Sequence, residues 1–348
     1  MRAPVVVAVV PCYNTGSACL DVVRRLRPHV AGVLAVNDGS TDETAAYLRE
    51  SGACVLDLPV NGGKGAALAA AFRDLLAGDD GTLGLRADYV VTIDGDGQHD
   101  PSDIPDLVEQ ALVAGADLVL GVRDPHQMPG KSRVGNHFSR LLFVIGTSSF
   151  VADTQSGFRL LSMRLVADLL DRVRWKRYET ESEVLWKTLA QGYRVAGTRI
   201  RTIYIDENRG SQFLPWRDSS RIASVFSREI AWTVGTAALD VATFAALTLS
   251  GRLSPAAANV ASRLVAISAQ AMFRRDFVKR TRRLMQQAGS GWCVLTFAGH
   301  LAVTTTLVAG LTGAGIPAIV SKLFAQLAGY LGTFAVVDHV LLKREAQR

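Results

Sequence analysis

The sequence predicts an α/β domain on an open, mostly parallel twisted sheet, followed by an all-α helical domain. Three observations carry this. Short β-branched runs alternate with helical segments through residues 5–121, and composition changes sharply near residue 230. Beyond that point the apolar stretches approach the ~20 residues that cross a bilayer as a helix. The chain has 348 residues, room for two domains of ordinary size.

Residues 5–10 are an unbroken apolar run, the pattern of a strand buried on both faces of a parallel sheet. Similar runs fall at 33–36, 54–58, 89–93 and 117–121, with helical segments at 18–26, 42–50, 64–76 and 104–113. Ser40 and Glu43 have the Ser-x-x-Glu spacing of a capping box at the second helix. The β-α-β-α order argues for a doubly covered sheet, whose ligands bind beyond the carboxyl ends of the strands.

Three strand-end loops therefore line one cleft: Pro11-Cys12-Tyr13-Asn14, Asn37-Asp38-Gly39-Ser40-Thr41-Asp42 and Asp94-Gly95-Asp96-Gly97-Gln98-His99-Asp100. Asp94 and Asp96 flank Gly95, and two carboxylates so placed repel unless a cation lies between them. Hard oxygen ligands suit Mg²⁺ or Mn²⁺, with Gln98 as a neutral oxygen donor. The same letters also spell an Asp- and Gly-rich turn. His99 is read as a bystander. Asn61-Gly62-Gly63-Lys64-Gly65 opens a helix, where glycine amides approach an anion and Lys64 adds charge; it lacks the Walker A spacing. Asp38 and Ser40 suit either a cap on the following helix or contacts to a base or ribose. Glu179, Glu181 and Glu183 lie near a helix start and are read as structural.

The formal charge is +6. Arg274, Arg275, Lys279, Arg280, Arg282 and Arg283 cluster between two apolar stretches, which fits a loop beside a bilayer and argues against a nucleic-acid partner. Cysteines at 12, 19, 54 and 293 form no CxxC pair, so zinc has no support and reduced thiols are expected. The run at 5–10 is too short for a signal-peptide core, so the first domain is expected to stay on the cytoplasmic side.

Together the loops resemble the family 2 glycosyltransferases of GT-A fold, most closely the polyprenyl- and dolichyl-phosphate sugar synthase branch. Further matching segments are Gly121-Val122-Arg123, Asp153-Thr154-Gln155-Ser156-Gly157-Phe158-Arg159 and Glu207-Asn208-Arg209-Gly210-Ser211, and the resemblance spans about residues 4–225. It implies that Asp94, Asp96 and Gln98 hold the metal and the donor diphosphate. It implies donor contacts from Pro11, Tyr13, Asn14, Asp38, Ser40, Lys64, Gly65, Gly95, Arg209 and Ser211. Arg123 and Arg133, with Ser139, would clamp an acceptor phosphate. Asp153 and Arg159 are read as a structural pair. One departure is Thr15, where the family usually has Glu on the base-recognition loop.

Near-spanning stretches fall at 230–250, 255–273, 292–311 and 316–342. Four spans put both termini on one side with the basic 274–283 loop and Lys343-Arg344, as the positive-inside rule requires. The layout resembles a GtrA-like four-helix membrane domain. Asp240, Arg263, Lys322 and Asp338 are costly in lipid unless paired, and Asp240 with Arg263 is the expected pair. Residues 213–217 and 139–151 read as interfacial. The expected division is a transferase domain at 1–210, a linker at 211–229 and a membrane domain at 230–348. The protein is expected in the plasma (inner) membrane, with the first domain and both termini cytoplasmic; homo-oligomerisation through the membrane domain stays open.

The resemblance implies inverting transfer of a sugar from a nucleotide-diphosphate donor, of GDP-mannose or UDP-glucose type, to a polyprenyl phosphate. Alternatives are another membrane-bound acceptor, or a non-catalytic lipid-carrier translocase or assembly partner with a degenerate transferase domain. A processive polysaccharide synthase is disfavoured because no Gln-x-x-Arg-Trp motif is present.

Overall fold

Strand formation follows the β-branched runs closely. The computed structural model describes residues 2–124, 143, 151, 153–176, 179–203, 224, 226–273 and 290–346. Arg133, Ser139, Arg209 and Ser211 lie outside the described residues, as do residues 213–217, the basic 274–283 loop and most of 139–151. The chain divides into two compact units, Met1–Phe226 and Ser227–Arg348.

In the first unit, strands β1 (Val6–Cys12), β2 (Gly32–Asp38), β3 (Cys54–Leu58), β4 (Tyr89–Thr92), β5 (Leu118–Val122), β6 (Arg159–Ser162) and β7 (Val195–Arg199) form one sheet. Its order is β3-β2-β1-β4-β6-β5-β7. Only β6 runs antiparallel to its neighbours. That reversal brings the segment before β6 to the carboxyl edge of the other strands. β1 runs through Pro11, further than predicted. Its ladder with β4 ends at Val9. Val9 O accepts from Ile93 on that side, so the amide that Pro11 lacks faces a gap beyond the ladder and costs no hydrogen bond.

Helices α1 (Ala18–Leu26), α2 (Thr44–Glu50), α3 (Lys64–Leu76), α4 (Ile104–Ala114), α5 (Met163–Leu170) and α6 (Glu179–Gln191) cover the sheet. On α1, Cys19, Val22, Val23 and Leu26 are buried at helical spacing. The predicted capping box does not form. Helix α2 starts at Thr44 without a side-chain cap, because the Ser40 hydroxyl accepts the Asn14 amide at 3.1 Å instead. Asp42 Oδ1 takes the Thr44 amide at 3.0 Å.

The second unit contains α7 (Ser227–Leu249), α8 (Pro255–Phe273), α9 (Ser290–Gly313) and α10 (Ala318–Ala346). Residues 230–249 and 294–313 are long and apolar enough to cross a membrane, by length and composition. Inside the unit a small apolar cluster of Phe244, Ala258, Val308 and Ala325 lies beside buried polar groups, and many large apolar side chains face outward. Asp240, Asn259, Ser262 and Lys322 are buried, whereas Leu249, Val294, Leu295, Phe324 and Leu327 are exposed. Asp240 pairs with Arg263 at 3.2 Å, as expected, and also with Lys322 at 2.8 Å.

Candidate active site

Tight side-chain and backbone bonds stitch the loops at the carboxyl edge together. Asn14 sits in the left-handed region at φ 50, a conformation Asn tolerates. Its Oδ1 accepts the Thr41 amide at 2.9 Å. The end of β1 is thereby fixed to the end of β2. Tyr13 and Pro11 lie half-buried beside it.

Asp38 is 2% exposed, and its two oxygens accept the Gly62 and Gly63 amides at 2.9 Å each. It therefore anchors the loop that opens α3. Gly39 makes this approach possible: at φ +64, a Cβ there would meet the backbone of Val60 and Asn61 at 2.6 Å. The expected anion cradle needs correction. The amides of Gly62 and Gly63 belong to Asp38, and the Gly65 amide donates to Lys176 O at 2.8 Å. Gly65 packs closely, since a Cβ would strike Thr180 and the 175–176 backbone. What the loop offers the cleft is Lys64.

Lys64 joins two carboxylates. Its Nζ lies 2.5 Å from Asp94 Oδ1 and 2.7 Å from Glu181 Oε1. Burial disfavours the ammonium, but Asp94 and then Glu181 outweigh it and raise the Lys64 pKa. Burial likewise works against the Asp94 carboxylate, yet the charge and hydrogen bond of Lys64, with Arg123 beyond it, hold its pKa below the ordinary value. Asp96 sits at the rim, reaching solvent. Desolvation by the protein around it, then the Asp94 charge, push its pKa up to about 6. Gly95 fits between them because a Cβ would lie 2.7 Å from Cys12 Sγ.

The donor set fits a divalent cation. Asp94 already binds one cationic group, and Asp96 resists a second negative charge beside it. Among the described residues no cluster of three or more His, Cys, Asp and Glu side chains forms a metal cage. A cation here would meet two carboxylates and Gln98, with coordination left for phosphate oxygens. Gln98 is held here by its backbone, which donates to Asp96 Oδ1 at 3.0 Å and accepts from Ile203 N at 2.8 Å. His99 is buried and its pKa falls to about 4, mainly through burial. It stays neutral, its ring against Phe158 with centroids 5.5 Å apart.

Asp96 sets a pH dependence. A proton on Asp96 must leave before the oxygen binds a cation. Mn²⁺ affinity measured by calorimetry is thus expected to be level well above pH 6 and to fall about tenfold per pH unit below it.

Two further residues position the site. Glu181, read as structural from sequence, is buried against Lys64; only its place at the start of an acidic helix marked it. Gly157, on the segment before β6, comes so close that a Cβ would overlap the Asp94 carboxylate and the Lys64 ammonium. Its carbonyl accepts from Thr92 Oγ1 at 2.8 Å. Gly157→Ala is expected to cost about 1–3 kcal/mol of stability in urea titration and to weaken Mn²⁺ binding, because the new methyl displaces Asp94.

The expected Asp153–Arg159 pair is replaced by another arrangement. Asp153 accepts from Arg123 Nε at 2.7 Å and Nη2 at 3.0 Å. Arg159 instead donates to the carbonyls of Ser156, Thr154 and Glu181 at 2.7–3.0 Å. It binds the β6 entry loop to the first turn of α6, its donors satisfied by three backbone carbonyls with the Glu181 and Asp153 charges nearby. Arg123 enters the site with one donor edge fixed on Asp153.

The profile described as Glycosyl transferase family 2 matches residues 7–166. Polyprenol monophosphomannose synthase of Mycolicibacterium smegmatis is 30% identical over 211 residues, covering 54% of this chain and 73% of that protein. The chain belongs to glycosyltransferase family 2. UDP-N-acetylglucosamine–dolichyl-phosphate N-acetylglucosaminyltransferase of Methanococcus voltae is 28% identical over 230 residues, covering 59% of this chain and 88% of that one. Among solved structures, glucosyl-3-phosphoglycerate synthase of Mycobacterium tuberculosis shares the fold, with TM-score 0.52 and 23% identity over 66% of this chain and 81% of that one. As a family 2 glycosyltransferase the protein is a transferase, and the Asp94–Asp96 loop lies where its fold binds ligands.

Proposed function

We propose that this glycosyltransferase moves a sugar from a nucleotide-diphosphate donor, of GDP-mannose or UDP-glucose type, to a polyprenyl phosphate, inverting the anomeric centre. The observation that carries the donor half is the Asp94–Asp96 pair joined to Lys64 at the sheet edge. The acceptor half is supported by the two relatives named for polyprenol- and dolichyl-phosphate products or acceptors.

Asp94, Asp96 and Gln98 would hold Mg²⁺ or Mn²⁺, which would supply positive charge to the departing diphosphate. Lys64 is poised to turn from Asp94 toward a phosphate oxygen, and Glu181 keeps the ammonium in place. Pro11, Tyr13, Asn14 and Ser40 would contact the nucleoside, Asp38 would shape that side by anchoring the Gly62–Gly63 loop, and Arg209 and Ser211, later in the sequence than β7, would add donor contacts. Arg123, Arg133 and Ser139 orient the acceptor phosphate through charge-assisted hydrogen bonds. An acceptor oxygen bonds to the anomeric carbon as the bond to the diphosphate oxygen breaks, and the electron pair leaves with the diphosphate. That oxygen is largely ionised near neutral pH, since a second phosphate pKa lies near ~6, so no strong base is needed. This suits a site whose only described histidine stays neutral. The helical unit embeds in the plasma membrane, with the transferase unit and both termini cytoplasmic, as the basic loop at 274–283 supports.

The test incubates purified full-length protein with labelled nucleotide sugars, Mn²⁺ and a polyprenyl phosphate. A chelator-sensitive lipid carrying one phosphate and one sugar is expected. Donor hydrolysis alone, or equal transfer to the unphosphorylated alcohol, contradicts the proposal.

A further inference from the structure

The polar interior of the helical unit holds more positive charge than its own acid balances. Asp240 on α7 is buried and is the hub: Lys322 of α10 lies 2.8 Å from Oδ1 and Arg263 of α8 lies 3.2 Å from Oδ2. Ser262 donates to the same carboxylate at 2.6 Å. Lys322 is fully used, donating also to Asn259 Oδ1 at 2.8 Å and Ser262 Oγ at 3.2 Å. Asn259 in turn donates to Thr305 of α9 at 2.9 Å. Among the described residues one carboxylate thus faces two cations, leaving one positive charge without a counter-charge.

That charge resides on Arg263, which is 8% exposed. Its Nη1 lies 3.2 Å from Asp240 Oδ2, an oxygen that itself makes no hydrogen bond, and its Nε and Nη2 are buried without a hydrogen-bond partner. These two nitrogens are not a random remainder. They form the side-on fork of the guanidinium, the same edge with which Arg123 grips Asp153. A fork of two parallel N–H groups matches two oxygens of a carboxylate or phosphate. Leaving it empty in the helical interior is costly. Gln326, one turn beyond Lys322 on α10, also has a buried Nε2 without a partner.

We propose that this cluster is an anion site for a phosphate monoester, bound by the Nε and Nη2 edge of Arg263, with the surplus charge of the Asp240–Lys322–Arg263 triad offsetting one of its negative charges. The site belongs to the helical unit alone and is additional to the acceptor position beside Arg123. The phosphate could arrive on a lipid or free from water, and the two sources share this recognition chemistry.

The experiment uses the full chain in phosphate-free detergent with inorganic phosphate, farnesyl phosphate and farnesol as probes. Wild-type protein is expected to bind two farnesyl phosphates per chain and Arg263→Met one, whereas farnesol competes at neither site. Arg263→Lys keeps the charge but loses the fork, and its second site is expected to weaken about tenfold or more. It also serves if Arg263→Met does not fold. Displacement by inorganic phosphate assigns the site to the free anion; binding of farnesyl phosphate without such displacement assigns it to a lipid headgroup. One site in wild type and none in Arg263→Met would uphold this site while removing the proposed acceptor position. In phosphate-free detergent, Arg263→Met should melt no lower than wild type, because Asp240 and Lys322 remain a balanced pair. Equal stoichiometry in wild type and both variants, or a clear fall in that melting temperature, overturns the proposal.

Discussion

Asp96→Ala is expected to lower sugar transfer about a thousandfold, the scale of losing a charge-stabilising group at a reacting centre, while leaving the melting temperature nearly unchanged. Asp96 is exposed at the rim, and its one described bond is to the Gln98 amide at 3.0 Å. Little of the fold depends on it. Asp94→Asn should be equally inactive for a second reason. It removes the charge that faces Lys64 at 2.5 Å and leaves the ammonium to Glu181 alone. Transfer is measured with saturating Mn²⁺ and donor, so that weakened binding is not mistaken for lost turnover. A variant within tenfold of wild type under those conditions contradicts the assignment.

Asp240→Ala is expected to unfold the helical unit readily, by roughly 3–5 kcal/mol, the usual cost of stripping one partner from a buried ion pair. Lys322 is 1% exposed and Arg263 is 8% exposed, so neither cation regains water when the carboxylate goes. The paired change Asp240→Leu with Lys322→Met removes one charge of each sign and should recover much of the loss. Thermal melting of the full chain in detergent reads both. If Asp240→Ala melts with wild-type protein, the triad does not hold these helices together.

Much of the fold was legible because each element carried its own signal. The β-branched runs marked strands, and buried positions such as Val22, Val23 and Leu26 repeat at helical spacing. The carboxyl-edge rule then located the cleft. What remained illegible was partner choice across distant segments. Ser40 and Glu43 have the spacing of a cap, but Asn14 from another loop claims the serine hydroxyl. Asp38 reads as a ligand contact, yet Gly62 and Gly63 occupy its oxygens. Asp153 and Arg159 are near in sequence, while the antiparallel entry of β6 gives Asp153 to Arg123 and turns Arg159 onto backbone carbonyls. Glu181 reaches Lys64 only because α6 packs beside the N-terminus of α3. No local pattern encodes such encounters.

The most direct test of the central claim is Mn²⁺ binding by electron paramagnetic resonance, with and without a nucleoside diphosphate. The wild-type protein should immobilise one Mn²⁺ per chain, more tightly when the diphosphate is present, and Asp96→Ala should leave the ion free in both cases. Equal immobilisation by wild type and Asp96→Ala would place the cation elsewhere and contradict the account.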